Sequence, residues 1–156
     1  MPEDAFSSLS FIAGPAILTN ACAILQNGVT TRYNLAITQW RDFRAAVAAG
    51  DDRVERQYVR PDEALALAGR RVRLQLRSLT LLNTAVGLFA GTTVLGLVGG
   101  VLARVLPSPA LALAVSVGMA ACGGAALIAL LAATATFFLE SACGGALLRL
   151  HRDLAH

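Results

Sequence analysis

Six polar side chains recur along one early stretch of the chain: Asn20, Asn27, Thr31, Asn34, Thr38 and Arg41. Their steps of seven, four, three, four and three put them on one stripe of a helix. A row of amides and hydroxyls can replace part of an ion's hydration, and so line a polar path in an oligomer. The same groups can instead bond a neighbouring helix, with Thr80, Asn83 and Thr84 as partners. Such interhelical bonds contribute about 0.6 kcal/mol on average within a bilayer. A second constellation is a single carboxylate, Glu140, which counting along the helices brings to the depth of Arg73 and Arg77. It could act as a gate, a proton site or a cation-attracting ring, or form a salt bridge between two helices. The third is the cluster Arg70, Arg71, Arg73 and Arg77, suited to anionic lipid headgroups or a cytoplasmic protein.

Catalytic patterns are missing from the sequence. There is no HExxH, no phosphate loop and no Gly-x-Ser-x-Gly. His151, Asp153 and His156 crowd the tail without a fourth metal ligand. Cys22, Cys122 and Cys143 are odd in number and lack the close spacing of a zinc or redox pair; they read as small packing residues. The expectation is a protein that is not an enzyme and carries no cofactor or metal.

The elements that hold these residues follow from composition. The chain has 156 residues, 56% hydrophobic and 15% charged, against about 25% charged in a typical soluble domain, and its mean hydropathy is +0.62. Residues 5–31, 78–103 and 105–139 contain no Asp, Glu, Lys or Arg. Each run exceeds the roughly 20 apolar residues that span a bilayer's hydrocarbon. An all-α integral membrane protein is expected: one domain of three long transmembrane helices that extend into a cytoplasmic helical stalk.

Charge placement gives an orientation. All 13 basic residues are Arg, and ten of them lie between Arg32 and Arg77 with six acids. Positive residues gather on the cytoplasmic side of membrane spans, a stronger explanation of the basic balance than nucleic-acid binding. With Arg149 and Arg152 in the tail and only Arg104 on the other side, three spans place the amino terminus outside and the carboxyl terminus in the cytoplasm. Glu3 and Asp4 stand where a signal peptide would carry basic residues, so the first span is expected to be retained.

Punctuation sets the helix limits. Gly14-Pro15 opens the first helix, which runs from about 15 to 49, where Gly50-Asp51-Asp52 interrupts. Phe6–Ile12 lies at the outer interface or begins that helix. Arg60-Pro61-Asp62-Glu63 starts the second, running to about 105. Ser108-Pro109 starts the third, which continues to about 153. Leu65, Val72 and Leu76 are available to pack against Leu35, Ala36, Trp40 and Phe43, with 142–148 as the third apolar surface. Gly87-xxx-Gly91, Gly96-xxx-Gly100, Gly118, Gly123 and Gly124 permit close helix approach. Ala-Cys-Gly-Gly-Ala occurs at 121–125 and again at 142–146, an offset that returns to one helix side and suggests a long packing seam.

The stretch from Pro15 to Gly28, followed by Thr30-Thr31-Arg32-Tyr33-Asn34, resembles the opening of the bacterial family catalogued as domain of unknown function 2721. Gln39-Trp40-Arg41, Arg70-Arg71-Val72-Arg73 and Phe137-Phe138-Leu139-Glu140-Ser141 extend the resemblance over nearly the whole chain. It implies a bacterial multipass inner-membrane protein with no assigned activity, and draws interest to Arg32, Trp40, Arg41 and Glu140. Two functions stay open: a homo-oligomeric channel-like assembly lined by the first helix, and a non-conducting scaffold. The scaffold would bind a cytoplasmic protein or anionic lipid through its arginines.

Overall fold

The structure, a computed structural model, describes residues 3–106 and 108–151, with side chains throughout except at 3–12, 53–55 and 103. The described residues form three long helices and one short one: α1 (Glu3–Ala48), α2 (Asp52–Gln57), α3 (Pro61–Val105) and α4 (Pro109–Arg149). The α4 terminus expected near 153 and the tail residues Arg152, Asp153 and His156 lie outside the described residues.

Helix α1 starts earlier than its sequence punctuation suggests. Pro15 sits inside the helix instead of opening it. A proline there removes one backbone hydrogen bond and crowds the carbonyl four residues back, while the apolar residues before it can still continue the helix. Thr19 turns its hydroxyl onto the Pro15 carbonyl at 2.8 Å. At the other end, Gly50 takes φ +65°, and the amides of Gly50 and Asp51 donate to the carbonyls of Val47 and Ala46 at 3.2 and 3.0 Å. This is a Schellman closure, in which a left-handed residue satisfies the last carbonyls of a helix. Pro61 opens α3 with Asp62 and Glu63 in its first turn, and the Ser108 carbonyl receives the amide of Ala112 as α4 begins.

Packing divides the chain into two compact units, 1–26 with 81–131 and 27–80 with 132–156, so each long helix contributes a stretch to both. In the first, Cys22, Ala85, Phe89, Ala126 and Ala129 form the core, with Leu18, Val86, Leu88 and Leu130 around them. Gly96 lies against Met119 and Gly99 against Val115. In the second, Ala36, Ala64, Ala68, Cys143 and Leu147 are buried. An antiparallel bridge joins Tyr58 to His151, the amide of Val59 donates to Leu150 at 3.0 Å, and the Tyr58 ring meets Phe43 and His151 edge-on.

The packed faces follow steps of three and four. On α3 they are Ala64, Ala68, Arg71, Gln75 and Ser78, then Leu82, Ala85, Phe89 and Thr92. On α4 they are Met119, Cys122, Ala126 and Ala129, then Ala133, Thr136, Glu140, Cys143 and Leu147. Such spacing is a coiled-coil seam, here built from small residues. The expectation that Leu65, Val72 and Leu76 pack the second helix is corrected in part: Leu65 and Val72 are half-buried, whereas Leu76 is 52% exposed and Leu35 of α1 68% exposed. A Cβ placed on Gly87, Gly91, Gly100, Gly123 or Gly124 would meet nothing within 4 Å, whereas one on Gly96 or Gly99 would strike Met119 or Val115, so of these glycines the close approach is made at Gly96 and Gly99. Within the repeated pentapeptide, Cys122 is half-buried and Cys143 buried, while Gly124 and Gly145 are exposed.

Among the described residues two helices are long and apolar enough to cross a membrane, the Pro61–Leu102 stretch of α3 and the whole of α4, and less than a quarter of the apolar stretch of each is buried. Val98, Val101, Leu113, Val117, Ile128, Leu131 and Phe138 are all more than half exposed. A helix core in a water-soluble protein buries such side chains; a helix in lipid does not.

Candidate functional site

The polar stripe of α1 is an outward-facing surface. Cys22, Val29 and Ala36 are buried at intervals of seven. Asn20, Asn27, Asn34 and Arg41 precede them and Phe43 by two residues in each repeat, about 160° around the helix. All six members of the stripe are exposed. Thr31 and Thr38 turn their hydroxyls onto the carbonyls of Asn27 and Asn34 at 3.0 and 2.9 Å. The side-chain amides of Asn20 and Asn27 make no hydrogen bond among the described residues. Interhelical bonding of this stripe to Asn83 is thereby corrected: Asn83 accepts instead from Gln26, at 2.7 Å. Gln26 stands on the packed side of α1, one residue before Asn27.

The second constellation is real, but its partner is different. Glu140 is 3% exposed, and Arg71 donates Nε at 2.9 Å and Nη2 at 2.8 Å to its Oε1. Arg73 and Arg77 are exposed and do not reach it. Arg73 is two residues beyond Arg71 and so nearly on the opposite face, and Arg77 is six residues beyond it, about 9 Å further along the helix. Arg71 also lies along Gly144 of α4, which leaves it room. The buried polar seam continues along α3. Gln75 is 1% exposed and so is Ser78. Ser78 and Thr136 share a short hydroxyl–hydroxyl bond, and Thr136 donates to the Ala133 carbonyl at 2.8 Å. Neither polar atom of the Gln75 amide has a hydrogen-bond partner among the described residues.

Sequence reasoning missed Gln75, Ser78 and Thr136. Their signal was the three-four spacing through Arg71, which carries no large hydrophobic residue and so does not look like a packed face.

The remaining arginine cluster divides. Arg71 is committed to Glu140, whereas Arg70, Arg73 and Arg77 are exposed and pair with no carboxylate among the described residues. Two arginines rest on rings: Arg32 lies 4.7 Å from the Phe137 centroid and Arg44 lies 5.4 Å from that of Trp40. Trp40 itself packs against Gly69. Thr38 of the stripe also borders an open groove of about 550 Å³, with Leu35, Asp42, Phe43 and Tyr58. Among the described residues no three His, Cys, Asp or Glu side chains gather as a metal site, and the three cysteines are free thiols.

No family model matches the chain, and no curated protein or solved structure is detectably similar to it.

Proposed function

We propose that this chain is a multipass protein of the bacterial inner membrane that assembles from several copies, with the α1 stripe turned toward the shared axis as a channel-like path. In this reading α1 is the third span beside α3 and α4. The ends of α1 and α3 that carry Arg32–Arg77, together with the 142–148 end of α4, form a cytoplasmic stalk, with the amino terminus outside. The observation that carries the reading is the exposure of Asn20 and Asn27 on the face opposite Cys22 and Val29. Hydrocarbon offers an amide no hydrogen-bond partner, and the described residues of its own chain supply none. Neighbouring copies, or water held between them, satisfy both amides at once. The resemblance to domain of unknown function 2721 supports the bacterial membrane placement and assigns no cargo.

The test is ion flux from liposomes containing the full chain, joined to a mass measurement of the detergent-solubilised assembly. Several copies per assembly, and flux that falls or changes selectivity in Asn20→Leu and Asn27→Leu, are the expected results. A monomer, or no flux from the unaltered chain, rejects conduction.

A second reading rests on a different observation, the three unpaired exposed arginines on α3. A non-conducting scaffold would use Arg70, Arg73 and Arg77 to hold anionic lipid headgroups or an acidic cytoplasmic partner. A monomer or simple dimer whose vesicle binding depends on these residues favours it.

A further inference from the structure

We propose that the buried seam between α3 and α4 is a hydrated internal site, with water bound by the amide of Gln75. Three observations meet there. Gln75 is 1% exposed, too buried for its amide to reach bulk solvent, and both Nε2 and Oε1 lack a partner among the described residues. It stands on the seam four residues after Arg71 and three before Ser78, the two residues that tie α3 to α4 through Glu140 and Thr136. Its level on the helix is therefore bracketed on both sides by polar groups already engaged with one another.

The pattern of need identifies the ligand. A buried amide left unpaired loses the hydrogen bonds it made in the unfolded chain, and here a donor and an acceptor both go unmet. A cation could meet only Oε1 and would be repelled by the N–H dipoles and the neighbouring Arg71. An anion could meet only Nε2 and would face the Glu140 carboxylate. The charges of Arg71 and Glu140 already compensate each other at 2.8 Å, which leaves no net charge for an ion to balance. Water donates to Oε1 and accepts from Nε2. Buried water in proteins typically makes about three such bonds to otherwise unsatisfied groups, and the Gln75 amide supplies one acceptor and two donors. This site is on the inner faces of α3 and α4, distinct from the outward stripe of α1, and does not depend on that stripe conducting anything.

Solid-state NMR on the full chain in lipid bilayers, labelled with ¹⁵N-glutamine, tests it. The chain has four glutamines, Gln26, Gln39, Gln57 and Gln75. The Gln75 side-chain signal is assigned by Gln75→Leu, or by elimination with Gln26→Leu, Gln39→Leu and Gln57→Leu should the first variant fail to fold. Magnetisation transfer from water is expected at the Gln75 side-chain amide at mixing times at which the backbone amides of Leu82 and Ala85 show none. Exchanging sodium chloride for another salt should leave its shift unchanged. A Gln75 amide that receives no transfer while that of exposed Gln39 does overturns the proposal, and so does a signal that moves with the cation or anion supplied.

Discussion

Arg71 closes two nitrogens on a single oxygen of Glu140, across α3 and α4, with Nε at 2.9 Å and Nη2 at 2.8 Å. The carboxylate is 3% exposed, whereas the arginine side chain keeps 24% of its surface. The two ends of this pair are therefore unequal. Removing the arginine strands a buried charge; removing the carboxylate leaves a cation that can swing outward.

Arg71→Met is accordingly expected to destabilise more than Glu140→Leu. Breaking a buried pair costs about 3–5 kcal/mol, and Arg71→Met should fall near about 3 kcal/mol because the pair is open on the arginine side. The double replacement should recover most of the loss, since two apolar residues need no partner. Trp40, the only tryptophan, packs on Gly69 two residues from Arg71, so its fluorescence during thermal unfolding reads the order of the three variants. A double variant no more stable than Arg71→Met contradicts the account.

Helix limits were legible where chain chemistry is local. Pro61 with Asp62 and Glu63, Ser108-Pro109 and Gly50 each mark an end by what their own backbone can do, and the structure places ends at all of them. Pro15 misled because a proline suited to a first turn is also tolerated within a long helix, at the loss of one hydrogen bond. The six residues of α2 have no apolar periodicity to betray them. Faces were harder to read than limits. The α3 seam is carried by Ala64, Ala68, Gln75 and Ser78, so the bulky Leu76 looked like the packed residue when it is an exposed one. Arg71, Arg73 and Arg77 lie within about 9 Å of one another along the helix axis, and the position of the seam picks out Arg71 as the one that meets Glu140.

The stripe makes a claim about distances between copies. In a chain whose native cysteines are replaced by alanine, Asn27→Cys should form an intermolecular disulfide in membranes under mild oxidation. Leu113→Cys, on an exposed apolar face of α4, should not. Gel mobility without reductant measures both. No cross-linking at position 27 would show that α1 faces lipid and not another copy, and equal cross-linking at the two positions would show that α1 is not the preferred contact between copies.

Arg70, Arg73 and Arg77 predict a graded, salt-sensitive attraction to anionic surfaces. Each juxtamembrane basic residue contributes about 1 kcal/mol near such a surface. A soluble peptide covering 61–80 should bind phosphatidylserine vesicles in low salt, and changing these three residues to Gln should weaken binding about a hundredfold. Raising ionic strength should shrink the difference, because screening shortens the reach of exposed charges. Equal binding of the two peptides in co-sedimentation would remove these arginines as a lipid-contact surface.

Glycine replacements separate close packing from open surface along one turn of α3. A Cβ at Gly99 would run into the branched side chain of Val115, and one at Gly96 would come within 2.8 Å of Met119 Cε. Gly100 has nothing within 4 Å. Gly99→Ala should destabilise by about 1–3 kcal/mol, because a β-branched neighbour has few rotamers to retreat into. Gly96→Ala should cost less, since the thioether is flexible. Gly100→Ala should be neutral or stabilising by up to about 1 kcal/mol, the helix preference of alanine over glycine. Val115→Ala combined with Gly99→Ala should restore part of the loss. Thermal denaturation of the four variants followed by circular dichroism gives the order, and a Gly100→Ala loss as large as that of Gly99→Ala would mean that Gly100 is covered by a second copy.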